Sequence, residues 1–371
     1  MIQDRPRFRR RSVVAGLTAA PLLAGMGLSA RASEDADPVA AALAASGAPA
    51  LAAAVFDAEK TLFIGAAGLR KALGDDPVTT ADLWHLGSNT KAMTAVLYAR
   101  LVEQGRAPAG ATLKELFPEI AIDPAFAART AEELMAHAAG VGDEPVLGRG
   151  WLMTARGDKH SLPEQRAALA AAALGAPPAF PEGGFHYANL NYIIVGAALE
   201  RATGMAWEDL IRAELFEPLG MTTAGFGAPE GDQPWGHAMG IPVDPKGISD
   251  NPMALGPAGT VHVALEDYAK FLQLFMTEGG GIISPEAMAW ITTAPVAGDG
   301  VYRMGWMVYG ARPWAHGPAL AHEGSNTMWH AIALVAPLRK IAIVAVSNDE
   351  TKGGPATSQL ALTLLRQYAP A

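Results

Sequence analysis

The chain has 371 residues, half of them apolar and 18% charged, with no cysteine and a formal net charge of −9. That length and apolar content suffice for one large core or two interleaved ones. The missing cysteines exclude disulfides, a thiolate nucleophile and a lipid-bearing cysteine, and the acidic balance argues against nucleic acid or an anionic membrane surface as partner.

Residues 1–32 read as an export signal peptide. "RPRFRRRSVV" is basic, the stretch from Val13 to Leu28 is apolar, and Ala30-Arg31-Ala32 supplies small residues for cleavage. Arg10-Arg11 ahead of Ser-Val-Val resembles a twin-arginine signal, which predicts a periplasmic or secreted protein. Removing this segment takes away six Arg and one Asp, a net +5, and leaves the remainder at −14. No stable membrane span is expected after cleavage.

"PALAAAVFDA" (49–58) and "KTLFIGAAG" (60–68) then predict two adjacent strands. Ser88 opens a helical pattern that ends near Gly105, and the next 150 or so residues are mostly helical, their segments closing on glycine. From about 300 the texture returns to strands in "VYRMGWMVYG", "MWHAIALVAP" and "KIAIVAVSN", the last apolar throughout as in a strand buried on both faces. A final helix is predicted over roughly 355–369. The expected fold class is α+β: an antiparallel sheet flanked by helices and built from both chain ends, with an inserted, mainly helical domain. In domain terms this means 33–86 plus 250–371 for the sheet and 87–249 for the insertion.

Three short motifs could carry chemistry. "HLGSNTK" (85–91) places Ser88 and Lys91 on one helical face, where a neutral lysine could take the serine's proton. Alone, the pair also fits a helix cap with a solvent-facing lysine. "GGFHYANLNY" contains Tyr187 and Asn189, a phenol able to shuttle a proton and an amide able to orient Lys91 or a substrate carbonyl. "HEGSNTM" (322–328) repeats the His-x-Gly-Ser-Asn-Thr pattern of the first motif. Nothing else repeats around the two copies, so a duplicated module is not expected. Within it Gly324 allows close backbone approach, and the N–H of Ser325 could bind an oxyanion. Asn326 stands where a His-Glu-x-x-His zinc site would need its second histidine. The Gly-x-Ser-x-Gly elbow of α/β-hydrolases is absent after residue 32.

Taken together, the order Ser-x-x-Lys, Tyr-x-Asn, His-x-Gly resembles the serine β-lactamase and penicillin-binding protein superfamily. The likeness is to the branch with class C β-lactamases, D-Ala-D-Ala carboxypeptidases and β-lactamase-like esterases. Segments such as "LWHLGSNTKAMTA", "FPEGGFHYANLNYIIVGAALERATG" and "VAPLRKIAIVAVSND" extend it over about 40–368. The resemblance implies Ser88 as nucleophile, Lys91 and Tyr187 as proton-transfer groups, and Asn189, His322, Glu323, Gly324 and Ser325 as the substrate and oxyanion surface. No metal or cofactor is implied. Class C enzymes have Lys-Thr-Gly where this chain has His322-Glu323-Gly324. If Glu323 faced the cleft as that threonine does, it would repel a substrate carboxylate and favour neutral esters or amides. The function expected is an exported acyl-enzyme hydrolase of small esters, amides or peptides. A β-lactamase or carboxypeptidase is the alternative, and a non-catalytic penicillin-recognising or cell-wall-binding module is the alternative of another kind.

Overall fold

The computed structural model describes residues 37–371 apart from 145, 182 and 295–297, so the export-signal expectation lies outside the described residues. In chain order the strands are β1 (Ala50–Asp57), β2 (Thr61–Gly68), β3 (Leu83–His85), β4 (Gly225–Phe226), β5 (His237–Ala238), β6 (Ile241–Pro242), β7 (Val261–Ala264), β8 (Val301–Arg303), β9 (Trp306–Arg312), β10 (Gly317–Ser325), β11 (His330–Ala336) and β12 (Ile341–Ser347). Seven of them form an antiparallel sheet in the order β2-β1-β12-β11-β10-β9-β8, which draws on both chain ends as expected. A small sheet, β3-β7-β4, leads into the turn that carries Ser88.

The large sheet is buried on both faces, and the period of two sorts its side chains into two cores. Ala52, Ala54, Val344 and Val346 face one core, while Ala53, Val55, Ile343 and Ala345 face the other. Helices Pro38–Ser46 and Glu350–Tyr368 cover the second face with Val39, Leu360 and Leu364. The closing helix starts at Glu350, earlier than the sequence suggests. Asp349 caps it by accepting from the Lys352 N–H, and Pro355 is accommodated near its start.

Helix Thr90–Glu103 runs through the first core, with eleven of its fourteen residues buried. Of its buried polar side chains, Lys91 and Thr94 donate to the carbonyls of Ala258 and Pro257. Helix Asn189–Thr203 lies beside it, and Gly196 brings it against Pro257: a Cβ there would stand 2.4 Å from the proline ring. Behind them the fully buried Arg166 bonds Glu200 and Glu208 and donates from Nε to the Ala254 carbonyl at 3.1 Å. This network fixes the 253–254 segment just before the turn at Gly256–Gly259, which presents its carbonyls to helix Thr90–Glu103.

Candidate active site

The turn before that helix is held from both sides. Leu86 donates its N–H to the Val261 carbonyl at 2.8 Å, and the Thr90 hydroxyl accepts from the Val261 N–H at 3.2 Å. Gly87 has φ +51°, the left-handed region that favours glycine, and its N–H donates to His85 Nδ1 at 3.1 Å. Ser88 follows in a short 3₁₀ turn, half-buried, one turn ahead of Lys91.

Lys91 is fully buried, and its Nζ lies 2.9 Å from Ser88 Oγ, 2.9 Å from Asn189 Oδ1 and 2.7 Å from the Ala258 carbonyl. Burial lowers its pKa to about 7, against an opposing pull from the Asp143 carboxylate. The partners fix the direction of each bond. Asn189 Nδ2 donates to Asp143 Oδ2 at 3.2 Å, which turns the amide oxygen toward Lys91. That oxygen and the Ala258 carbonyl can only accept, so a neutral amine spends both its hydrogens on them. Its lone pair is left facing the Ser88 hydroxyl. In its neutral form Lys91 can therefore accept the Ser88 proton.

The Tyr187 ring centroid is 4.8 Å from Lys91 Nζ. Burial raises the pKa of its phenol, and Ser88 opposes that shift. Among the described residues the hydroxyl nonetheless makes no hydrogen bond of normal geometry. It is a protonated phenol beside the serine.

Three further residues shape the site without having stood out in the sequence: Asp143, His137 and Tyr302. Asp143 also accepts the Leu190 N–H at 3.0 Å and so anchors the start of helix Asn189–Thr203. His137, at φ +57°, accepts at Nδ1 from the Ala188 N–H (3.3 Å) and from Asn191 Nδ2 (2.8 Å), and its ring lies 4.3 Å from that of Tyr187. Burial and nearby Lys91 keep it neutral, well below the ordinary histidine range. It braces the Tyr-Ala-Asn segment from beneath. Tyr302 shares a 2.9 Å hydrogen bond with His322 Nε2.

Strand β10 splits its motif between two faces. His322 is buried on the Lys91 side, where burial and that lysine push its pKa down to about 3. Gly324 backs onto the serine turn: a Cβ there would stand 2.1 Å from the Leu86 carbonyl oxygen and 2.7 Å from the Ser88 nitrogen. Gly87 faces it reciprocally, its own Cβ position lying 2.4 Å from the Ser325 nitrogen. The two copies of the hexapeptide therefore meet glycine to glycine, which brings the backbone nitrogens of Ser88 and Ser325 to one place.

Glu323 does not face the cleft, contrary to the assumption drawn from its threonine counterpart. It pairs across the strands with Ile332, a residue of the second core, and its Oε2 lies 3.9 Å from His330 Nε2. His330 in turn bonds Thr357 on the closing helix. Strand alternation turns Glu323 away from His322, so the repulsion of a substrate carboxylate has no geometric basis. The Ser325 side chain also points this way, toward Glu350.

The sequence profile of the Beta-lactamase family matches residues 36–367. The chain belongs to the beta-lactamase family. Among its relatives, penicillin-binding protein 4 of Amycolatopsis lactamdurans is 27% identical over 302 residues, covering 76% of this chain and 75% of that one. Esterase EstB of Burkholderia gladioli is 29% identical over 217 residues, 55% of this chain and 54% of the esterase. The solved octameric penicillin-binding protein homologue from Pyrococcus abyssi superposes with a TM-score of 0.70 at 23% identity, over 89% of this chain and 77% of that one. A D-stereospecific amidohydrolase from Streptomyces gives 0.68 at 23% identity, over 88% and 95%. The fold of this family member is thus shared among hydrolases and penicillin-binding proteins alike. No described helix is long and apolar enough to cross a membrane.

Proposed function

We propose that the protein is an exported serine hydrolase that works through an acyl-enzyme on Ser88, with neutral carboxylic esters or amides as its preferred substrates. The observation that carries this reading is the 2.9 Å contact between Lys91 Nζ and Ser88 Oγ, made by a buried amine whose pKa burial lowers to about 7.

In acylation Lys91 takes the Ser88 proton as Oγ attacks the carbonyl carbon, and the N–H groups of Ser88 and Ser325 receive the oxyanion. Tyr187 gives its proton to the leaving alcohol or amine and regains one from Lys91. Water then enters, loses a proton to the same Lys91–Tyr187 pair and releases the acid, with Ser88 reprotonated.

His322 supports the preference for neutral acyl groups. It occupies the place of a lysine in class C enzymes, yet burial keeps it uncharged near neutrality, so it offers no cation to a substrate carboxylate. A penicillin or D-Ala-terminated peptide remains the second reading, favoured by the outward turn of Glu323. A panel of a nitrophenyl ester, a chromogenic cephalosporin and a D-Ala-D-Ala peptide separates these. The ester should turn over with the highest kcat/KM. A higher kcat/KM for the cephalosporin or the peptide overturns the preference, and single acylation without turnover makes the protein a binding module.

A further inference from the structure

We propose that Asp250 is a positioning residue that staples the serine turn to the oxyanion strand and so sets the spacing of the two oxyanion donors. This rests on the serine-hydrolase reading above.

The carboxylate is nearly buried and uses both oxygens. Its Oδ2 meets His85 Nε2 at 3.0 Å. Its Oδ1 accepts from Asn326 Nδ2 at 2.8 Å and from the Asn251 N–H at 2.7 Å. His85 is the first residue of one hexapeptide copy, and Asn326 is the fifth of the other.

Each arm ends beside a candidate donor. His85 Nδ1 accepts the Gly87 N–H at 3.1 Å, so the ring's hydrogen sits on Nε2 and is donated to Asp250. That arm holds the residue before Ser88. Asn326 follows Ser325 directly, and its Oδ1 accepts the N–H groups of Met328 and Trp329 at 3.1 Å each, which shapes the turn from β10 into β11. The Trp329 ring closes the loop by stacking on His85, with centroids 5.6 Å apart.

Backbone contact between Gly87 and Gly324 prevents the two segments from moving closer, but it cannot stop them from drifting apart. A carboxylate with both oxygens engaged adds that restraint together with Asn89, whose Nδ2 donates to the Ala331 carbonyl of β11 at 3.2 Å. An oxyanion site depends on donors held at about 2.7–3.1 Å from the developing charge, so small drift is costly.

An asparagine at 250 would keep its oxygen where Oδ1 accepts from both Asn326 and the Asn251 N–H, and would turn its own N–H toward His85, itself a donor, so the His85 arm would open. In Asp250→Asn, kcat for a nitrophenyl ester should fall about 10- to 100-fold while KM stays within about threefold. The Ki of a boronic acid, which forms a tetrahedral anion on the serine, should weaken by a similar factor. His85→Phe keeps the stack on Trp329 and removes the same arm, so the double variant should lose little beyond His85→Phe alone. Should Asp250→Asn fail to fold, Asn326→Ser opens the other arm and carries the same expectation. Unchanged kcat, a kcat loss with unchanged boronate affinity, or losses that multiply in the double variant would each overturn the proposal. The wild-type protein is assayed first: no turnover there counts against the hydrolase reading, whereas normal wild-type turnover with a fully active Asp250→Asn counts against the staple alone.

Discussion

Gly324→Ala probes the meeting of the two hexapeptides with a single methyl group. Gly324 is not in the left-handed region, so the cost is steric. The new Cβ would lie 2.1 Å from the Leu86 carbonyl oxygen, 2.7 Å from the Ser88 nitrogen and 2.9 Å from the Asn89 nitrogen. Relaxed contacts of a carbon atom settle at about 3.5 Å, so β10 and the serine turn must part by roughly 1 Å. Overpacking of this kind costs about 1–3 kcal/mol of stability, which lowers Tm by several degrees and leaves the protein folded. Catalysis should suffer more, because losing one oxyanion donor costs about 10²–10³ in kcat. The assay is steady-state turnover of a neutral nitrophenyl ester beside a thermal melt, with Ser325→Ala as control. That control removes a hydroxyl facing Glu350 and keeps the N–H, so it should retain most activity. A Gly324→Ala enzyme within about threefold of wild-type kcat would refute the close approach as a catalytic requirement.

The other expectations concern proton transfer, stability and export. The kcat/KM of the wild type should rise through pH 7 as Lys91 loses its proton; Asp143 favours the ammonium form, so Asp143→Asn should move this acid limb to lower pH, and a shift upward would contradict the assigned interaction. Lys91→Ala and Tyr187→Phe should each lower turnover by about 10² or more with folding intact, read by single-turnover kinetics and a melt. Arg166→Met leaves the carboxylates of Glu200 and Glu208 buried without their partner and should cost about 3–5 kcal/mol in denaturant unfolding. Replacing Arg10 and Arg11 by lysine should strand the precursor in the cytoplasm; unchanged processing would point to the general secretory route.

Much of the fold is legible in the sequence because β1, β11 and β12 are apolar runs too short for core helices and bounded by turn residues. Strand β10 is less so: "GPALAHEGS" carries glycine, proline and charge, and its pairing comes from its neighbours β9 and β11. The start of the last helix is obscured by Gly353, Gly354 and Pro355. Gly353 is small because Ser347 leaves no room for a Cβ, whose position lies 2.0 Å from that serine's Oγ.

In the site, the three-residue spacing of Ser88 and Lys91 suffices to bring them together, and the structure places Asn189 on the same lysine. His137, Asp143 and Asp250 act across more than forty residues of chain from the residues they hold, and nothing local marks them. Matching Glu323 to its counterpart residue does not give its orientation. The period of two, applied to a buried His322, already turns it to the other face.

Ser88, and not its twin Ser325, is the expected nucleophile. Intact-mass measurement and peptide mapping after reaction with a fluorophosphonate test it directly. A single adduct on Ser88 is expected in the wild type and in Ser325→Ala, and none in Ser88→Ala. An adduct on Ser325, or labelling that survives in Ser88→Ala, would contradict it.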